Sequence, residues 1–179
     1  LKSDYIHEKV LETQKKYDNA EPEKLAKAMG IIVSYEPMGN TSKSCKGFFV
    51  VFSRKKHITI NSSLNEDLRA IVLMHEIAHA ILHCSYAHTI FSDFDFLNNS
   101  DIKEYEANLF AADYIINDSE AIDILKEGMS FFEAASVLRV PPQLLDFKLR
   151  LMKHRGLNIS EPPITSYGDF MKKINIPNI

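Results

Sequence analysis

Residues 61–83 read NSSLNEDLRAIVLMHEIAHAILH, and the rest of the chain is best understood outward from them. Between Ala70 and Leu82 the only polar residues are His75, Glu76 and His79. With no Gly or Pro inside, and with capping candidates at Asn61, Ser62 and Ser63, the stretch predicts a helix over about 64–83 that is apolar nearly all round and therefore buried. Taking His75 as origin on the helical wheel, His79 falls at about 40°, His83 at about 80° and Glu76 at about 100°. One narrow polar arc thus runs along a buried helix. Solvated helix faces carry Lys and Glu rather than three histidines, so the arc reads as chemistry.

His75-Glu76-Ile77-Ala78-His79 is an H-E-x-x-H motif, a pattern expected by chance roughly 0.02 times in a chain of this composition. The two imidazoles, one turn apart on one face, can reach a single cation at about 2.0–2.1 Å. Glu76, about 60° beyond His79, can reach a water on that cation without ligating it. His83 would have to bend back to become a ligand, so it reads as a support behind a ligating histidine or as packing. A third ligand must then come from another element, leaving the fourth position open. The candidate is Glu104, on a second predicted helix from Ser100 or Asp101 to about Ile116, with Asn108, Ala107, Ala111 and Ile115 on its face. The alternative use of Glu104 is a capping box with Asp101. Glu106 and Asp113 lie on the opposite side and read as solvated charges. Asn108 is a candidate acceptor for the outer N–H of a ligating histidine, or a buried amide that packs the helices. His88 is the other ligand candidate nearby. The longer spacing H-E-x-x-H-x-x-G-x-x-H fails, because Leu82 and Ser85 occupy the Gly and third His positions.

Further out, helical spacing marks residues 3–17 and 22–29, and β-branched or aromatic runs at 31–35, 47–52 and 57–61 predict a small three-stranded antiparallel sheet. The last of these strands runs directly into the histidine helix. If it is an edge strand, it could hold a peptide by strand addition with Asn61 near the scissile bond; otherwise Asn61 caps the helix. Tyr86, His88 and Tyr105 are candidate donors to a developing oxyanion. Residues 130–155 suggest a helix–turn–helix. There Arg139, Lys148, Arg150, Lys153 and Arg155 face a single acid, Asp146, and form a candidate basic surface. Docking of a protein is the preferred use of this lobe, and contact with nucleic acid through 139–155 the lesser one. The expected organisation is a catalytic domain over 1–128, a helical lobe over 129–156 and an extended tail over 157–179.

The chain has 179 residues, 45% of them hydrophobic, and a formal charge of −3, which describes a folded globular protein with no global attraction to nucleic acid or anionic lipid. Two cysteines give no disulfide framework, no apolar run approaches a membrane span, and LKSDYIHEKV lacks the order of a signal peptide. These features set the expectation of a cytoplasmic protein with no membrane contact.

Three pieces together carry a resemblance: Leu25-Ala26 to Gly30-Ile31, Arg69-Ala70-Ile71 through His83, and Glu104 through Ala112. In this order they resemble the ImmA/IrrE family of gluzincin-type metallopeptidases, over roughly residues 20–155. The resemblance implies a zinc site of His75, His79 and Glu104 with Glu76 as catalytic base. It also implies association with phages and other mobile elements, where relatives act on a repressor. Many gluzincins carry a carboxylate where this chain has Asn108, which can still accept a hydrogen bond but adds no charge. The reading is an α+β, zincin-like endopeptidase: a small antiparallel sheet on a helical active-site core, with a C-terminal helical lobe and a regulatory protein as substrate. The alternative is a non-proteolytic regulator of the same fold that binds DNA or a repressor.

Overall fold

The computed structural model describes residues 2–41, 43–83, 100–159 and 163–164. Two helices, α1 (Lys2–Tyr17) and α2 (Pro22–Ala28), open the chain, with Pro22 in the first turn of α2 where its missing N–H costs nothing. Gly30 follows at φ 68 and turns the chain into strand β1 (Ile32–Glu36). Strands β2 (Gly47–Phe52) and β3 (Lys55–Asn61) form a hairpin, closed by Ser53 and Arg54, both at positive φ as a two-residue turn of matching twist requires.

The sheet order is β1-β3-β2, with β3 antiparallel to β2 but parallel to β1. The expected all-antiparallel sheet is therefore corrected to a mixed one. The hairpin inserts its second strand between β1 and β2, so β3, whose Ile58, Ile60 and Asn61 are fully buried, occupies the centre where both edges are paired. The segment joining β1 to β2 must consequently cross two strand spacings, roughly 10 Å. Asn61 pins that crossing. Its Nδ2 donates to the carbonyls of Gly39 and Cys45 at 2.8 and 2.9 Å, and its Oδ1 accepts from Met38 N and Ser63 N at 3.2 and 3.0 Å.

From Asn61 the chain passes through a short turn into α3 (Glu66–Leu82), capped by Asn65, whose side chain accepts from Leu68 N at 2.9 Å. The cap thus lies closer to the helix than the expected Asn61, Ser62 or Ser63. One flank of α3 packs on β2 and β3 and the other on α4 (Ser100–Ile115), where Ala107 and Ala111 are fully buried and allow close approach. The remaining sides of α4 are covered by α1 and by α7 (Pro142–His154), while α5 (Asp118–Lys126) and α6 (Phe131–Val137) link the two. Ser130 and Glu133 close a capping box at the start of α6. Among the described residues no helix is long and apolar enough to cross a membrane.

Candidate metal centre

Helix α3 places His75 and His79 one turn apart, and α4 brings Glu104 to meet them. The Nε2 atoms of the two histidines are 3.1 Å apart; Glu104 Oε2 lies 3.2 Å from His75 Nε2 and Oε1 lies 3.3 Å from His79 Nε2. Among the described residues these three form a group able to hold a metal ion. The separations suit the purpose: ligands at 2.0–2.2 Å from a tetrahedral zinc stand about 3.3 Å from one another. Two imidazoles and a carboxylate are also a donor set that zinc accepts. His75 and His79 are buried, 3% and 2% exposed, while the Glu104 side chain is partly exposed.

The electrostatics describe a site built around positive charge. Burial resists ionisation of Glu104, yet hydrogen bonds from His75 and His79 outweigh it and hold the carboxyl well below the usual carboxylate range. For His75 burial again works against the charged form, but Glu104, Glu76 and Asn108 together raise its pKa. His79 goes the other way: burial dominates, reinforced by the neighbouring His75, and its pKa falls to about 4. Glu76 is 6% exposed and next to His75 in the helix, and its charge acts on that ring. Asn108, fully buried on α4, favours the protonated form of His75, as an acceptor beside its ring would.

Behind His79 stands His83. It is the C-cap of α3 at φ −122, and its ring lies against that of His79, one turn back. Its Nδ1 is 3.0 Å from His79 Nδ1, and its Nε2 is 3.0 Å from Glu106 Oε2. Glu106 was expected to be a solvated charge; instead its side chain is 18% exposed and bonded to His83. Asp113 departs from the same expectation, being 5% exposed and paired with His7 and Lys148. The causes differ: Glu106 meets the histidine at the end of α3, whereas Asp113 lies on a side of α4 that α1 and α7 cover.

Of the remaining candidates, Asn61 bonds the crossing segment and Ser63, and β3 is paired on both edges, so the edge strand on which the expected peptide contact depends is corrected to a central one. Tyr105 sets its ring edge-on against Phe147, with centroids 5.4 Å apart. Tyr86 and His88 lie outside the described residues. The expected basic surface over 139–155 does not form as a face. Lys148 is 1% exposed, and its ammonium lies 2.7 Å from Asp113 and 2.6 Å from Asp118. Arg155 pairs with Asp118 at 2.9 Å, and Arg150 with buried Asp146 at 2.8 Å. The acids that meet Lys148 and Arg155, Asp113 and Asp118, come from α4 and α5, and the charge run along α7 does not report them.

Residues 26–150 match the family described as IrrE N-terminal-like domain, Peptidase_M78. A protein of Bacillus phage phi105 with the printed name "Uncharacterized immunity region protein 2" is 33% identical over 134 residues, covering 75% of this chain and 82% of the phage protein. No solved structure matches the chain. The family match takes in the histidine helix and Glu104 as well as the sheet, and on that extent the chain belongs to the IrrE N-terminal-like M78 peptidase family.

Proposed function

We propose that this protein is a zinc-dependent endopeptidase that hydrolyses a peptide bond in a regulatory protein, a repressor of a phage or mobile element, in the cytoplasm. The observation that carries this reading is the convergence of buried His75 and His79 with partly buried Glu104, and with Glu76 on the same helix as the two histidines. A binding module needs the first three groups and has no use for the fourth. Bound zinc would polarise a scissile carbonyl and bring the pKa of water down towards about 7. Glu76 then takes the proton from the attacking water and returns it to the departing amine, the two halves of general base and general acid work. Asn108 orients His75 from α4. The name of the phage relative supports the choice of substrate class, because immunity regions are where repressors act. The burial of Lys148 and the pairing of Arg155 speak against the alternative of a DNA-binding regulator, since they remove two charges from the basic cluster over 139–155.

The test is Glu76→Gln, which keeps size and removes the base. With the repressor encoded beside its gene as substrate, zinc content should stay at one per chain, while turnover falls by about 10²–10⁴-fold. Undiminished cleavage by this variant removes Glu76 from the mechanism. Specific operator binding with no cleavage by the zinc-loaded native protein would establish the regulator instead.

A further inference from the structure

We propose that Glu106 is a positioning residue for the metal centre: acting through His83, it fixes the proton of His79 on Nδ1 and leaves Nε2 as the ligating atom. The inference rests on the zinc-site reading above and extends it to a residue two positions beyond Glu104 on the same helix.

The argument is one of donors and acceptors. An ionised carboxylate only accepts, so Glu106 Oε2, 3.0 Å from His83 Nε2, requires the hydrogen of His83 to sit on Nε2. In a neutral imidazole the other nitrogen is then an acceptor. That nitrogen, His83 Nδ1, faces His79 Nδ1 at 3.0 Å, so His79 must donate from Nδ1. Its Nε2 is left bare, and Nε2 is the atom that stands 3.1 Å from His75 Nε2 and 3.3 Å from Glu104 Oε1. The same assignment follows from the opposite end. A metal on His79 Nε2 puts the hydrogen of His79 on Nδ1, which needs an acceptor on His83, which places the hydrogen of His83 on Nε2, which needs an acceptor in turn; Glu106 supplies it. The outer N–H of a metal-bound histidine commonly ends on a carboxylate or carbonyl, and here the carboxylate acts through one intervening ring. Glutamine at 106 would relax the assignment, because an amide can offer either its oxygen or its NH₂ to His83.

The experiment uses the full chain with ¹⁵N-labelled histidine, reading ring tautomers by NMR, and measures zinc affinity by competition with a chromophoric chelator. In the zinc-loaded native protein His79 should appear as the Nδ1–H form and His83 as the Nε2–H form; a His83 protonated on Nδ1 overturns the proposal. Glu106→Gln should weaken zinc binding by about 10–100-fold and abolish the single tautomer of His83. A folded Glu106→Gln protein with native zinc affinity also overturns it. Should that variant fail to fold, the tautomers of the native protein decide alone. Should the native protein bind no zinc, the zinc-site reading has failed separately, and the His83 tautomer of the metal-free protein still tests its pairing with Glu106.

Discussion

Glu104 is held ionised against its own burial by two histidines, and those histidines are brought within 3.3 Å of it by two helices packed through alanines. Removing the charge while keeping the shape should therefore separate binding from folding. Glu104→Gln is expected to fold normally and lose stoichiometric zinc, as measured by metal analysis after gel filtration, and His79→Ala should lose it as well; full zinc occupancy in Glu104→Gln would take Glu104 out of the ligand set. Asn61 makes the contrasting case. Three of its four side-chain hydrogen bonds hold the crossing segment and the fourth holds the turn at Ser63, so Asn61→Ala should lower unfolding stability by about 2–4 kcal/mol in urea titrations and leave the KM of a peptide substrate unchanged. The wheel found Glu104 because α3 and α4 are regular helices wherever it was applied. It does not report the role of Glu106, because that role rests on a contact between two helices, with His83, which the periodicity of one helix does not contain.

At the level of elements, the histidine helix can sit low on the sheet because one residue of β2 has no side chain. A Cβ on Gly47 would come within 2.7 Å of Val72 Cγ1, 3.1 Å of Ile60 Cδ1 and 3.2 Å of the Thr59 carbonyl oxygen. The last of these belongs to the backbone of the central strand and cannot turn aside. Gly47→Ala should accordingly cost about 1–3 kcal/mol of stability, and adding Val72→Ala should restore part of it, since the closest clash is with that side chain. A neutral Gly47→Ala in chemical denaturation would show that β2 can shift without loss. Because Val72 lies one turn before His75, this packing also sets where the histidines stand relative to the sheet. Strand positions were legible from their β-branched runs, and so were the helices, from spacing and punctuation by Pro and Gly. Strand order was not: runs consecutive in sequence suggest a meander, and only the pairing of β3 with β1 on one edge and with β2 on the other shows that β3 is central.

Across the whole molecule, a second buried polar cluster lies at the junction of α1, α4, α5 and α7, where His7, Asp113, Asp118, Lys148 and Arg155 meet. His7 Nδ1 is 2.5 Å from Asp113, while Lys148 bridges Asp113 and Asp118, so one ammonium ties three helices together. In sequence these residues are scattered over almost 150 positions, and Lys148 with Arg155 looks like half of a basic face; the acids that neutralise them arrive only through tertiary packing. Deleting one partner of a buried ion pair leaves the other charge without compensation, a loss of about 3–5 kcal/mol. Lys148→Met, which keeps the length of the side chain, should therefore destabilise the protein by that order at neutral pH in urea unfolding. The pH dependence has a definite sign. Burial would raise the pKa of Asp118, but hydrogen bonds from Lys148 and Arg155 outweigh it and lower the pKa below the ordinary aspartate value of 3.8. A carboxyl depressed in the folded state contributes stability that is present above its unfolded value and disappears as pH falls through its folded value. The stability gap between native protein and Lys148→Met should thus be full near pH 7 and narrow only below about pH 4, as Asp118 takes up its proton. A variant as stable as the native protein over that whole range would mean that Lys148 does not hold the helices together, and its charge would again be available to a surface.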